Sequence, residues 1–400
     1  MFLSVFIIAT TLVVMFVLWS RKVQGSITWR AMTTPLASII GSGFLVLGPI
    51  LDHAYGKYAP LVMLGLCIGA YLFGSAIRFN MTVIASKPVE RSELVEHLET
   101  AASWSLSLAY LISVAYYLNL FGAFGVSLTT VDHPINAKLL TSAVFFVILF
   151  VGWTRGFKAL ENMEYVSVTL KLAVICGLLV GLVWYFGSRM ADHGLILNLP
   201  KLTGWSAIAL SFGLIVTVQG FETSRYLGAD YDVGTRTRSM RWAQWVSTLI
   251  YMSYIFLVAY VFERGDLKLT ETAIVGMMQV VAPILPVLLV AAALAAQFSA
   301  AVADTSGAGG LFVEVSGNRM SARQAYALLT LIGLFLTWSS DVFQIISYAS
   351  RAFALYYALQ SLIAAISAWD TVEQKKKSVG FFMLAVLGLM IAFFGKAVEA

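Results

Sequence analysis

Four ionisable side chains lie where charge is expensive: Lys171, Glu222, Asp304 and Arg351 each fall inside a long, mostly apolar run. Such groups cost several kcal/mol in hydrocarbon, so they face a bundle interior, pair with one another, or carry an ion or substrate. Glu222 is the leading candidate for chemistry, a carboxyl able to take and release a proton; the alternative is a hydrogen-bonded glutamate that steadies the backbone around Gly220. Lys171 follows Glu164 by seven residues, about two helical turns, too deep for its ammonium to reach water easily. Asp304, in Val302-Ala303-Asp304-Thr305-Ser306, is its natural partner, and a buried pair of this kind is better evidence for a switch than for stability. The same stretch supports a sodium reading. The hydroxyls of Thr305 and Ser306, with carbonyls near Ala37 and Ile40, would suit a hard cation. Proton coupling ranks first and sodium second. Arg351 has three readings: binding an acidic substrate group, pairing with Glu222 or Asp304, or reaching the outer interface.

Two glycine-containing stretches interrupt good membrane helices, Ile40-Gly41-Ser42-Gly43-Phe44 and Val218-Gln219-Gly220-Phe221-Glu222-Thr223. Glycine weakens a helix by about 1 kcal/mol relative to alanine. Backbone groups freed in a bilayer must find partners, so such breaks belong where the chain lines a cavity. Close helix packing is the other reading of either site taken alone. Unwound backbone at Ile40 to Gly43 would present N–H groups and a positive half-helix end to a carboxylate or other anion. Phe221 either closes over a ligand or is a core aromatic, and Tyr116, Tyr117 and Asn119 either line the cavity or pack.

The elements that must position these residues are membrane helices. Of 400 residues, 60% are hydrophobic and 12% charged, with mean hydropathy +0.84. Such a composition does not fit a water-soluble surface. Apolar runs at 1–19, 32–51, 59–78, 98–126, 138–153, 164–187, 204–226, 242–262, 281–313, 322–338, 342–368 and 379–396 are long enough to cross ~30 Å of hydrocarbon as helices, and they lack the alternation of barrel strands. Placing the loop after the first run in the cytoplasm puts 17 Lys and Arg residues inside and seven outside, with Lys171 and Arg351 in spans. This twelve-helix arrangement leaves both termini outside, in a plasma or inner membrane. The connection around Ser86 to His97, with Glu90, Glu93, Glu96 and Glu99 at helical spacing, reads as a solvated charged face, the alternative being an interfacial or extended cytoplasmic helix end. A short helix is expected within Asp266 to Met278.

Other classes find little support. Cys67 and Cys176 lie in apolar runs and encode no disulfide framework, and the four histidines have no metal-ligand spacing, so neither a metal site nor a membrane enzyme is indicated. No phosphate-binding loop is present to drive a primary pump. The basic residues flank hydrophobic segments as topology signals and not as a nucleic-acid surface. The expected partners are the lipid bilayer and a small-molecule substrate, with no cofactor beyond a coupling ion. A non-transporting sensor or subunit is the remaining alternative.

Spacing ties the two breaks together. Gly41 and Gly220 are 179 residues apart and Lys171 and Arg351 are 180 apart, with five spans between partners. An odd number of spans inverts the second copy of a repeat, as in secondary transporters with discontinuous helices. The expected units are an extra helix at 1–20, a first five-helix repeat at 32–187, an inverted second repeat at 204–368, and a final helix at 379–396.

With these residues in place, the sequence resembles the amino acid-polyamine-organocation permeases, which share the leucine-transporter fold. Ile40-Gly41-Ser42-Gly43-Phe44, Gly220-Phe221-Glu222, the stretch around Lys171, and the tract through Gly228-Ala229-Asp230 to Arg238 carry the likeness. The resemblance implies that Ser42 and Gly43 contact a substrate carboxylate, that carbonyls near Gly220 receive its amino group, and that Glu222 couples or gates. It also implies that Lys171 takes the place that sodium fills in sodium-coupled members. The extra first helix departs from the usual pattern. The expected activity is secondary import of a small amino acid or related amine or carboxylate by alternating access.

Overall fold

A computed structural model describes residues 2–41, 43–86, 92–154, 158–192, 194–228, 230–263, 269–369 and 374–398. Ser42, Glu90, Ala229 and Asp266 lie outside them, as do the loop cations Lys87, Arg91, Arg155, Arg264 and Lys268. The described chain is helical, from α1 (Phe2–Leu18) and the short α2 (Arg21–Gln24) to the broken first core span, α3 (Ile27–Ile39) and α4 (Gly43–Tyr55). The long helices α5 (Ala59–Ser86), α6 (Glu93–Val126), α7 (Pro134–Thr154) and α8 (Lys158–Asp192) follow. The second broken span is α9 (Gly204–Gly213) with 3-10 turns at Ile215–Val218 and Phe221–Tyr226. Then come α10 (Val233–Ala259), α11 (Ala273–Val281), α12 (Leu285–Val315), α13 (Ala322–Ser339), α14 (Val342–Trp369) and α15 (Lys375–Phe394). Among the described residues each of the twelve apolar runs is mostly helical, and eight helical stretches are long and apolar enough to cross a membrane.

Two ends of the bundle are defined by contacts between loops. At one, the backbone N–H of Lys57 donates to the Asn198 carbonyl (2.8 Å), Lys201 N–H to Ala54 (3.0 Å) and Ile196 N–H to Tyr260 (2.9 Å). At the other, Arg78 of α5, Arg241 of α10 and Lys377 of α15 line a single groove. Between the ends, the outer faces carry exposed apolar side chains such as Phe16, Phe150, Leu249, Phe335 and Phe393, as lipid contact requires. Central α6 is built into the bundle by α12 and α14. Its Tyr116 and Tyr117 join Tyr251, Tyr254, Tyr356 and Tyr357 as the largest fully buried side chains.

Several helix boundaries differ from the sequence-based expectations. The glutamate-rich stretch is the first part of α6, continuous with its membrane span and introduced by Ser92. The short helix expected within Asp266 to Met278 begins at Ala273 and runs on to Val281, where the approach to Pro283 ends it. The first helix lies along α8. Gly177 and Gly181 of α8 give it room, since a Cβ on Gly177 would come within 2.3 Å of Thr11 Oγ1 and one on Gly181 within 3.0 Å of Ile7. Outside the spans, Asp232 caps α10 by accepting from the Thr235 amide (3.0 Å) and hydroxyl (2.6 Å). Those two bonds hold its carboxyl below the usual range.

Candidate functional site

The first break leaves the last carbonyls of α3 without intrahelical partners, and neighbouring helices supply them. Ile40, no longer helical (φ −84°, ψ 53°), donates its N–H to Leu36 O at 3.0 Å. Lys171, 4% exposed on α8, reaches across and donates from Nζ to Ala37 O at 2.7 Å. An ammonium is well matched to the negative end of a half-helix, so this lysine acts as a cap supplied from another helix. Lys171, Gly41 and Gln297 of α12 also line a cavity of about 20 Å³, room for one water-sized ligand. The Gln297 side chain is fully buried, and neither amide atom is hydrogen-bonded among the described residues.

The second break starts earlier than the glycine signal implied. Helix α9 ends at Gly213, six residues before Gln219, and the next α-helix begins at Val233, with only the two 3-10 turns assigned between them among the described residues. Ser350 of α14 makes this possible. Its hydroxyl donates to Gly213 O (2.7 Å) and accepts from Val216 N–H (3.1 Å), satisfying both sides of the opened turn. Ser350 follows Lys171 by 179 residues and Val216 follows Ala37 by 179, the offset that separates Gly41 and Gly220. A contact between the same pair of positions therefore recurs at this offset with the donor reversed: Lys171 donates to the Ala37 carbonyl, whereas the Val216 N–H donates to Ser350 Oγ.

The breaks meet face to face. A Cβ on Gly43 would lie 2.7 Å from Thr217 Cα, and one on Gly220 would lie 2.6 Å from the Ser38 carbonyl carbon. Gly220 also adopts φ +113°, which favours glycine whatever the space. In this conformation the glycines admit the other broken helix and not an open cavity, which is the close-packing alternative for these stretches. Tyr251 of α10 ties the junction, its hydroxyl 2.9 Å from Ile39 O and 2.6 Å from Thr217 O. Glu222 is fully buried beside it, its Oε2 accepting from Gly220 N–H (3.0 Å) and the Tyr357 hydroxyl (2.9 Å). Its Oε1 has no partner among the described residues. Phe221 stacks on Tyr357 with ring centroids 5.1 Å apart, and Tyr117 accepts from Gln219 Nε2 at 3.0 Å.

The structure thus brings Ile40, Gly41, Gly43, Gly220, Phe221, Glu222, Tyr117 and Lys171 to one junction, with Tyr116 packed on Tyr117 (5.2 Å). Three residues with alternative readings are placed by their contacts. Lys171 turns to the helix break and not to Asp304, whose carboxylate accepts instead from Ser113 of α6. Arg351 points outward and donates from Nε to Ala392 O of α15 at 2.7 Å, its interface reading. Asn119 faces α13, donating to Thr337 Oγ1 at 2.8 Å. On α12, Thr305 donates to Ala301 O (2.6 Å), and Ser306 is half-buried. Sequence reasoning missed Tyr251 and Ser350, because a tyrosine or serine within an apolar helix has no signature that separates a backbone cap from packing.

Below this junction, the segment that carries Glu222 also carries Arg225, which forms an ion pair with Glu99 of α6 at 2.7 Å. Both side chains are largely buried, and Gln360 Nε2 adds a 3.3 Å bond to the same carboxylate oxygen. Arg236 NH1 donates to Arg225 O at 2.7 Å and steadies the turn. Glu99 is therefore not part of a solvated face, whereas Glu93 is exposed, 3.8 Å from His97. Electrostatically this is a closure across the Lys- and Arg-rich end of the bundle.

A pair of broken helices packed at their unwound turns, a cation capping one of them and a buried carboxyl in the other form the architecture of a substrate-translocating bundle. The sequence comparisons agree with it. A family profile described as "APC superfamily transporter" matches residues 21–395. An uncharacterized protein of Aquifex aeolicus (strain VF5) is 41% identical over 379 residues, which is 93% of this chain and 91% of that protein. With the profile spanning nearly all of the sequence from α2 to the end of α15, the chain belongs to the APC superfamily of transporters.

Proposed function

We propose that this transporter is a secondary carrier that imports a small amino acid, or a related amine or carboxylate, across the plasma (inner) membrane by alternating access and with protons as the coupling ion. The observation that carries the proton reading is the 2.7 Å contact of Lys171 Nζ with Ala37 O. A fixed ammonium there uses a carbonyl that a sodium site formed with Thr305 and Ser306 would need, and it would repel a second cation at short range. The two breaks supply the substrate groups: N–H donors at the start of α4 for a carboxylate and carbonyls near Gly220 for an amine. Glu222, with one carboxyl oxygen unpartnered among the described residues, is suited to receive a proton at that place. The recurrence of the Lys171–Ala37 contact as Ser350–Val216 supports two inverted halves at 32–187 and 204–368.

Uptake into proteoliposomes, with sodium and pH gradients imposed separately, tests the coupling. The expected result is accumulation driven by an inward proton gradient without sodium, lost in Lys171→Ala and in Glu222→Gln. Sodium-driven accumulation without a pH gradient, retained in Lys171→Ala, would reject proton coupling in favour of the sodium site at Ala37, Ile40, Thr305 and Ser306. Failure of every amino acid, amine and carboxylate to be accumulated under either gradient would reject the carrier reading itself.

A further inference from the structure

At the Lys- and Arg-rich end, a groove of about 720 Å³ opens between α5, α10 and α15, away from the broken helices. Among the described residues three cations line it, Arg78, Arg241 and Lys377, and no carboxylate does. Arg78 is 7% exposed, and its hydrogen-bond and ring partners among the described residues are neutral: Gln244 Oε1, Tyr71 O at 3.4 Å, and the Tyr71 ring 4.8 Å from the guanidinium carbon. Arg241 and Lys377 are exposed. Among the described residues the two ion pairs, Glu93–His97 and Glu99–Arg225, both lie elsewhere. Three like charges collected in one groove repel one another unless an anion joins them.

The rest of the groove indicates which anion. Lys377 is two residues into α15, and Arg78 and Arg241 are each eight residues from the basic end of their helices, about 12 Å in. Beside and beyond the arginines the lining becomes apolar, with Leu72 of α5 six residues deeper than Arg78 and Met383 and Leu384 of α15 six and seven residues beyond Lys377. Leu72 and Met383 are 40% and 64% exposed, so the wall opens to the surroundings of the bundle. A charged mouth at headgroup depth continuing into an apolar channel at acyl depth matches a molecule with an anionic head and a hydrocarbon tail. We infer that this groove binds an anionic phospholipid, its phosphate between Arg78, Arg241 and Lys377 and an acyl chain along Leu72, Met383 and Leu384. The lipid would bridge α15 to α5 and α10.

The test uses delipidated full-length protein in a neutral detergent, titrated with phosphatidylglycerol, phosphatidylcholine or inorganic phosphate and read by native mass spectrometry. Arg78 is left intact because it is buried. Phosphatidylglycerol is expected to bind at least tenfold more tightly than phosphatidylcholine. The exposed pair Arg241→Gln/Lys377→Gln should weaken it about 30-fold, roughly fivefold per cation, while Arg319→Gln/Arg323→Gln, on the α12–α13 connection and the first turn of α13, leaves it unchanged. Equal affinity for the two lipids would overturn the inference, as would unaltered binding in the first double variant or equal weakening in the second. Displacement of the lipid by phosphate at a comparable concentration would show an ion site and overturn the lipid assignment.

Discussion

Tyr251→Phe removes a single oxygen from the place where the two broken helices meet. That hydroxyl sits 2.9 Å from Ile39 O and 2.6 Å from Thr217 O, and it has one proton to give. One carbonyl is therefore served at any instant and the other shares a bifurcated bond. The ring keeps its edge contact with Phe44 (5.5 Å between centroids), so the substitution opens no cavity of consequence. Tyr251 is 1% exposed, so water does not replace the lost donor easily. Leaving one buried carbonyl without its partner costs about 1–3 kcal/mol, and the loss is expected to appear undiminished in an equilibrium titration of the purified protein with SDS. Tyr348→Phe on α14, 40% exposed, is the control and should stay within about 0.5 kcal/mol. Because the tyrosine links the two breaks, Tyr251→Phe should also speed exchange of the backbone amides at Ile40 and Gln219. Equal stability of the two variants, with unchanged exchange at both breaks, would refute the claim that this hydroxyl holds the junction.

Two further substitutions probe the same frame. Gly43→Ala and Gly220→Ala should each reduce the yield of folded protein sharply, since the added carbon meets Thr217 Cα at 2.7 Å or the Ser38 backbone at 2.6 Å; Gly310→Ala, whose Cβ would meet nothing within 4 Å, should be tolerated when measured by size-exclusion recovery. Glu99→Gln and Arg225→Gln should each cost about 3–5 kcal/mol by SDS titration, because each strands a largely buried charge, while the double variant costs less than the sum. Additive losses in that cycle would show that the pair does not act as a unit.

What the sequence made legible was the part governed by cost. Apolar runs of fixed length, cations collected in alternate loops, and glycines in the middle of spans are each expensive in a bilayer unless the fold uses them, so they pointed to the twelve helices and to both breaks. Lys171 was legible for the same reason, since an ammonium so far from water had to find an oxygen. That oxygen was legible in part: the sodium-like place implied for Lys171 lay at the Ala37 to Ile40 backbone, but Asp304 was expected there as well. The acidic side chain on α12 was the chemically obvious choice, but the unwound end of α3 offered carbonyls with nothing else to satisfy them, and Asp304 had Ser113. Backbone need is invisible in residue type, which is also why Ser350 and Tyr251 gave no signal.

The position of the second break follows from the same need. Gly220 marks a left-handed conformation within the second break, yet the helix stops at Gly213, where Ser350 receives the opened turn and the C-terminal tail closes in. The Lys396 N–H donates to Ala209 O at 2.9 Å, and a Cβ on Gly213 would collide with Lys396 O. Two different glycines therefore bound one discontinuity, one by conformation and one by proximity to another segment. The unwound stretch between them reaches from the α15 tail to the Glu222 carboxyl. Movement of the α15 tail away from Ala209 would release the first half of this stretch while Tyr251 and Tyr357 still held the second. In an alternating-access cycle, that asymmetry would let α9 respond to the outer helices without dismantling the junction at Gly43 and Thr217.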